Sequence, residues 1–384
     1  MTTYHDLPAP SAEMLTRSHA LSAVIRQNIQ QHGNISFADF MAAALYHPQY
    51  GYYQQQHFDL GRHGDFTTAP EISPLFARCA ARQCRQIFAA ALDDTILELG
   101  AGTGRFALDC LTELAAQQAL PQRYFIYEIS AALRQKQRQL FQTERPDLLP
   151  RVEWLTTLPS QFSGVIIANE VLDAIPFQCF QIENRHAHER MVTISGDTFD
   201  WQIDNTSQLD LALACDLADG YQSEIQPAAM QLVQQLCQLL TSGVILLIDY
   251  GYGQREYYHP QRNQGSLTCF YQHRKHDNPF LYPGLQDITT HIDFTRVIET
   301  AAASGATLGG FTTQAGFLLA NGLVEMAQAD GEHLSEKDAF RMHQAIKTLT
   351  MPTEMGDVVK VMALTKNISI PLAGFSLLDR RRDL

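Results

Sequence analysis

The chain has no Cys-x-x-Cys pair, no basic excess and no apolar run long enough to cross a membrane, and each absence closes off a class of function. The seven cysteines (Cys79, Cys84, Cys110, Cys179, Cys215, Cys237 and Cys269) are odd in number and fall mostly in apolar surroundings. That pattern fits reduced, buried thiols rather than a disulfide framework or a thiolate metal site. Charged residues are scarce at 18%, and the net charge is −13; a protein that tracks a phosphate backbone carries the opposite sign, so no nucleic-acid partner is expected. A spanning helix needs about 20 apolar residues, and nothing here approaches that, so no membrane insertion is expected. The first ten residues show no basic stretch followed by an apolar core, and cytoplasmic residence is the expectation. His186-Ala-His188 and His291-Ile-Asp293 lack further partners at metal-ligand spacing, so no metal is expected either.

What is present is enough apolar residue, 45% of 384, for one large domain with insertions or for two domains. Residues 1–92 read as a mostly helical segment. Ser36 followed by Asp39 marks a helix start, 46–70 reads as an irregular loop, and apolar spacing predicts a helix over 75–92. From residue 93 the texture changes. Strands are predicted at 95–99, 122–127, 152–155, 164–168 and 243–248, with helices at 104–118 and 131–142 between the first of them. Short apolar strands alternating with helices predict a mostly parallel α/β sheet covered on both faces, and ligands of such sheets sit beyond the carboxyl ends of the strands. Two insertions interrupt it. The first, at about 177–240, opens with two alternating runs that predict antiparallel strands and continues into a helix at 228–240. The second, 252–294, is polar, aromatic and irregular, and long for a loop, as lids and substrate surfaces are. Late strands near 307–319 and 358–365 close the sheet, and Ser335 with Asp338 opens a helix between them.

The run Ile96-Leu97-Glu98-Leu99-Gly100-Ala101-Gly102-Thr103-Gly104 joins the first strand to the first helix. Glycine at every second position lets the backbone approach a ligand and accept positive φ, and the helix N-terminus behind it presents N–H groups. Gly102, Gly104 and Ala107 also satisfy the dinucleotide spacing, with Glu128 about 20 residues further on, so spacing alone leaves a nicotinamide dinucleotide open. Glu98 leading the loop, and Asn169-Glu170 after the fourth strand, favour S-adenosylmethionine. In that reading the loop, through Gly100, Gly102 and Gly104, lies under the amino-acid moiety, Asn169 holds its end, and Glu128 accepts both ribose hydroxyls through its two oxygens.

Several further segments extend the pattern: Ile35-Ser-Phe-Ala-Asp-Phe-Met41, Tyr46-His-Pro-Gln-Tyr-Gly-Tyr-Tyr53, Gly64-Asp-Phe-Thr-Thr-Ala-Pro-Glu-Ile-Ser73, Asn169-Glu-Val-Leu-Asp-Ala-Ile-Pro176, Asp249-Tyr-Gly251, Gly284-Leu-Gln-Asp-Ile-Thr-Thr-His-Ile-Asp-Phe294 and Met355-Gly-Asp-Val-Val-Lys-Val-Met-Ala-Leu364. With the glycine loop, this ordered set resembles the MidA-like S-adenosylmethionine-dependent methyltransferases, whose mitochondrial members are complex I assembly factors acting as protein arginine methyltransferases. The resemblance implies a class I, Rossmann-like methyltransferase fold over 93–384 with inserted substrate elements. It also implies that the N-terminal segment contains a loop covering the cofactor, with Gly64, Asp65 and Thr67 in contact with it. The implied substrate is a protein arginine, on a respiratory NADH dehydrogenase subunit in the mitochondrial members.

A guanidinium is planar and always protonated, so its site needs carboxylates that grip it bidentately. Glu170 and Asp173, just past a strand end, are the candidate catalytic acids, although Asp173 also fits a cap on the turn before Pro176. Asp287 and His291, with Thr290, are candidates for the substrate entrance, and Asp293 serves equally as a helix cap. Alternatives to protein arginine methylation are a small-molecule O- or N-methyltransferase, an assembly or scaffold protein that binds the cofactor without turnover, and a dinucleotide oxidoreductase.

Overall fold

The computed structural model describes residues 7–54, 67–90, 93–206, 208–209, 211 and 216–384. In chain order, helices α1 (Ala12–His32), α2 (Phe37–Tyr46), α3 (Ala69–Ile72) and α4 (Pro74–Phe88) come first. They are followed by β1 (Thr95–Leu99), α5 (Arg105–Ala116), β2 (Arg123–Tyr127), α6 (Ala131–Glu144), β3 (Val152–Leu155) and β4 (Phe162–Asn169). Strands β5 (Gln178–Glu183), β6 (His186–Ser195), β7 (Thr198–Ile203) and β8 (Gln222–Ile225) precede α7 (Pro227–Leu239) and β9 (Leu240–Tyr252). Next are α8 (Gln254–Tyr257), β10 (Thr268–Tyr271), β11 (Arg274–His276), β12 (Asp287–Thr289), β13 (Ile292–Asp293) and α9 (Phe294–Ala303). The chain closes with β14 (Thr307–Thr313), α10 (Gln314–Ala320), α11 (Leu323–Gly331), α12 (Glu336–Thr350) and β15 (Val359–Lys366).

Two compact units share these elements. Residues 1–66, 172–231 and 254–292 form one, and 67–171, 232–253 and 293–384 form the other. The sequence reading takes 1–92 as one segment and treats the insertions as parts of the sheet domain. In the structure 67–90 groups with the sheet, as does 232–240 at the end of the first insertion, while 172–231 and 254–292 group with α1 and α2.

The larger unit is the α/β body. Its strands run in the order β14-β15-β9-β4-β1-β2-β3, all parallel from β9 to β3, with β15 antiparallel to both of its neighbours. The central strands are continuous apolar runs because both faces are covered: Val165, Ile166 and Ile167 of β4, and Val244 to Leu246 of β9, are fully buried. Helix α4 starts where Ser73 caps it and Pro74 takes the first turn, and its stripe of Leu75, Phe76, Cys79, Cys84 and Ile87 packs into the core. The predicted strand at 307–319 stops at Thr313. Its hydroxyl accepts from the Gly316 N–H and starts α10, so Phe317 and Leu318 enter the core from a helix.

The smaller unit holds two antiparallel sheets, β7-β6-β5-β8 and β11-β10-β12. Helix α2 begins at the expected box, with the Asp39 N–H on Ser36 Oγ at 3.0 Å and the Ser36 hydroxyl on Asp39 Oδ2 at 2.7 Å. Its Phe37 and Phe40 meet Phe177, Phe199, Trp201 and Phe280 at centroid distances of 5.0–5.5 Å. The stretch 252–294, expected to be irregular, contains a sheet. Its strands are three or four residues long and mostly polar, too short for alternation to register.

Candidate active site

At the carboxyl end of β1 the chain turns through three left-handed glycines, Gly100, Gly102 and Gly104, with φ of 60°, 52° and 89°. The Gly100 N–H donates to Tyr127 O at 2.9 Å, tying the loop to β2. At Gly104 a side chain is disfavoured twice: its φ is unfavourable to L-residues, and a Cβ would crowd Gln137 Cγ at 3.1 Å. Thr103 between them accepts from the Arg105 N–H at the start of α5 and donates its hydroxyl to Glu71 Oε1. Glu71, on α3, belongs to a segment that sequence comparison singles out, yet only this hydrogen bond reveals its place beside the loop.

The acids at the strand ends have different surroundings. Glu98 is 2% exposed and takes a 2.7 Å hydrogen bond from the Tyr124 hydroxyl. Burial pushes its carboxyl up to about 8, against the pull of that hydrogen bond and with the help of the Glu128 charge. Glu128, just past β2, is 4% exposed and better served. Its Oε1 accepts from the Ser130 N–H at 2.9 Å and its Oε2 from the Gln137 amide at 3.3 Å, which partly offset the upward push of burial. Ile129 follows it and is 51% exposed. An exposed aliphatic face beside a carboxylate suits a ligand that joins a flat ring to vicinal hydroxyls. The sequence signal for Ile129 is an apolar residue directly after the strand-end acid.

β4 ends at Asn169, whose buried Oδ1 has no hydrogen-bond partner among the described residues, an acceptor available to an ammonium. Glu170 holds φ at 52°, a conformation that costs a side-chain-bearing residue about 1–3 kcal/mol and collects at functional sites. Its N–H donates to Ile248 O at 2.8 Å, and its Oε1 accepts from the Ala69 N–H at 3.3 Å and the Asn169 amide at 3.4 Å. Thr67 lies in the same unit, half-buried just ahead of α3, while Gly64 and Asp65 fall outside the described residues.

The remaining candidates lie in the smaller unit. Asp287 is 1% exposed and accepts from the Tyr53 hydroxyl at 2.7 Å. Burial raises the Tyr53 phenol well above its usual range, and the charges of Asp287 and Asp173 push the same way. Tyr46 stacks on Tyr53 at 5.5 Å and donates to Ala174 O. Asp173 is buried, and its carbonyl accepts from the Thr290 N–H at 3.2 Å. His291 donates its N–H to Ser266 Oγ at 3.1 Å, and its carbonyl accepts from the Gln226 amide at 2.9 Å. Behind these stands Glu224, which sequence reasoning misses. Fully buried, it accepts from Ser266 N–H and hydroxyl, Leu267 N–H and the Thr290 and Tyr257 hydroxyls. Asp293, in the larger unit, is the cap of α9, accepting from the Thr295 and Arg296 N–H groups. Among the described residues no group of three or more His, Cys, Asp or Glu is arranged to hold a metal ion.

Comparison with known proteins accounts for this site. The profile of a family of S-adenosyl-L-methionine-dependent methyltransferases matches residues 75–312. A protein from Burkholderia thailandensis solved bound to S-adenosyl-homocysteine is 38% identical, with a TM-score of 0.94 over 99% of this chain and all of that one. Among curated relatives, the Drosophila melanogaster mitochondrial protein arginine methyltransferase NDUFAF7 homolog is 25% identical over 96% of this chain and 91% of its own. The Danio rerio mitochondrial protein arginine methyltransferase NDUFAF7 is 26% identical over 95% and 96% respectively. The residues present fit the cofactor: an Asn169 Oδ1 unpartnered among the described residues, a loop of three left-handed glycines, and a hydrogen-bonded Glu128 beside an exposed Ile129. The chain is thus a class I methyltransferase that uses S-adenosylmethionine, and it belongs to the MidA-like family.

Proposed function

We propose that the chain methylates arginine on a protein partner, with Glu170 as the acid that orients the accepting nitrogen. The observation that carries this reading is the left-handed Glu170, whose carboxylate is held at the end of β4 beside Asn169. Supporting it are the names of the full-length relatives, which are protein arginine methyltransferases. When bound, the cofactor supplies an electrophilic sulfonium methyl. The chain's own contribution is then positional, because an in-line displacement gains most from held geometry. In this mechanism Glu170 takes two guanidinium N–H groups, turns the third nitrogen toward the methyl and stabilises the charge as a proton leaves. Asp173, three residues on in the sequence, is the second candidate acid, and Asp287 and His291 are the candidates for contact with the peptide. A subunit of respiratory NADH dehydrogenase is the first substrate to test, and the proposed place of action is the cytoplasm, in keeping with six free, buried thiols among the described residues. Radiolabelled methyl transfer into lysate from cells lacking the gene, followed by mass spectrometry of labelled bands, tests the reading. Label on arginine side chains of a protein is expected; label confined to small molecules overturns it in favour of an O- or N-methyltransferase of metabolites.

A further inference from the structure

Helix α6 buries three side chains, Leu133, Gln137 and Phe141, spaced four apart on one stripe. The middle one is an amide where the pattern calls for a hydrocarbon, and a buried amide is tolerated only when its hydrogen bonds are made. Those of Gln137 are. Its Nε2 donates to Gly102 O at 2.9 Å and to Glu128 Oε2 at 3.3 Å, and its Oε1 accepts from the Trp154 indole N–H at 2.8 Å. The orientation is forced by chemistry: an indole N–H can only donate, so it selects the amide oxygen, and the nitrogen must face a carbonyl and a carboxylate. Trp154 is itself held, with Phe141 edge-on at 6.4 Å and the Arg138 guanidinium 4.7 Å over its ring.

We propose that Gln137 is a positioning residue for the cofactor: braced on the glycine loop and on Trp154, it fixes the carboxylate that takes the ribose hydroxyls. One side chain spans both halves of the site: Gly102 belongs to the loop under the amino-acid moiety, and Glu128 to the nucleoside end. The inference rests on the reading of Glu128 as the ribose acceptor. With the amide in place, Glu128 Oε2 is held by a donor fixed at its other end by Trp154. Without it, the carboxylate loses its only side-chain donor among the hydrogen bonds described above, and the half-buried Gly102 O and Trp154 N–H lose this partner.

The test compares S-adenosylhomocysteine with its 2′,3′-dideoxy analogue by titration calorimetry. Gln137→Leu is expected to weaken S-adenosylhomocysteine by about tenfold or more, the scale of one hydrogen bond to a charged group, while the dideoxy analogue binds as it does to the unaltered protein. A purely structural role moves both ligands together, and that result, or no change in either, overturns the proposal. Glu128→Gln measured on the same pair separates the two claims. If it too weakens only the hydroxylated ligand, the ribose reading stands and Gln137 is judged alone; if it does not, both fall. Should Gln137→Leu not fold, Trp154→Phe keeps an aromatic ring at that position and removes the donor. A several-fold loss confined to S-adenosylhomocysteine supports the positioning role, and equal affinities for both proteins contradict it.

Discussion

Glu128 in the larger unit and Glu224 in the smaller one are both buried carboxylates supplied with hydrogen bonds, but they are held by different means. Glu128 follows a parallel strand, and its nearest donor is the N–H of Ser130, two residues on. Glu224 draws its donors from Ser266, Leu267 and Thr290, about forty to sixty-six residues away. In the first region the backbone positions the chemistry: strand ends, three left-handed glycines and a helix start. In the second, backbone and side-chain donors from separated stretches converge on one carboxylate. Sites positioned by local backbone leave a local mark in the sequence; sites assembled by long-range contacts do not.

The comparison can be broken first at the loop. Gly104→Val forces a branched Cβ into a left-handed position against Gln137, and S-adenosylhomocysteine affinity should fall by about a hundredfold or more by calorimetry. An affinity within about threefold of normal means the loop does not bear on the ligand. A smaller effect, confined to the other unit, is expected from Glu224→Leu. Buried donors at Ser266 and Leu267 then lose their acceptor, at a cost of about 3 kcal/mol. Hydrogen exchange should rise in β10 and β12 but not in β1 or β4, and S-adenosylhomocysteine affinity should stay within about twofold. The smallest effect concerns pH. The folded carboxyl of Glu98 is raised to about 8, so between the ordinary carboxylate range and about 8 the folded state keeps a proton that the unfolded state has released. Stability therefore falls as pH rises through that window. Glu98→Gln, which cannot ionise, should gain thermal stability relative to the original as pH goes from about 5 to about 8; a pH-independent difference contradicts the assignment.

The α/β body was legible because its strands are uninterrupted apolar runs and its helices carry caps that survive as residue patterns, such as Ser335 with Asp338. The glycine loop was legible for the same local reason. Gln137 was not, since a glutamine in a glutamine-rich chain carries no signal until its three partners are seen. The grouping of 67–90 with the sheet, and of 172–231 and 254–292 with α1 and α2, was hidden because contacts rather than composition decide it. The sheet β11-β10-β12 was hidden by its length. Asp293 shows the limit of residue chemistry alone: a cap and an entrance ligand look identical in sequence, and two backbone N–H donors decide for the cap.

The central claim is that binding the cofactor and transferring its methyl group are separable, with Glu170 acting in the second. The direct test is Glu170→Gln, measured in parallel for S-adenosylhomocysteine affinity and for single-turnover methyl transfer into the labelled lysate protein. The account predicts affinity within about threefold of normal and transfer slowed by about a hundredfold or more. Transfer at the original rate, or loss of both together, contradicts it.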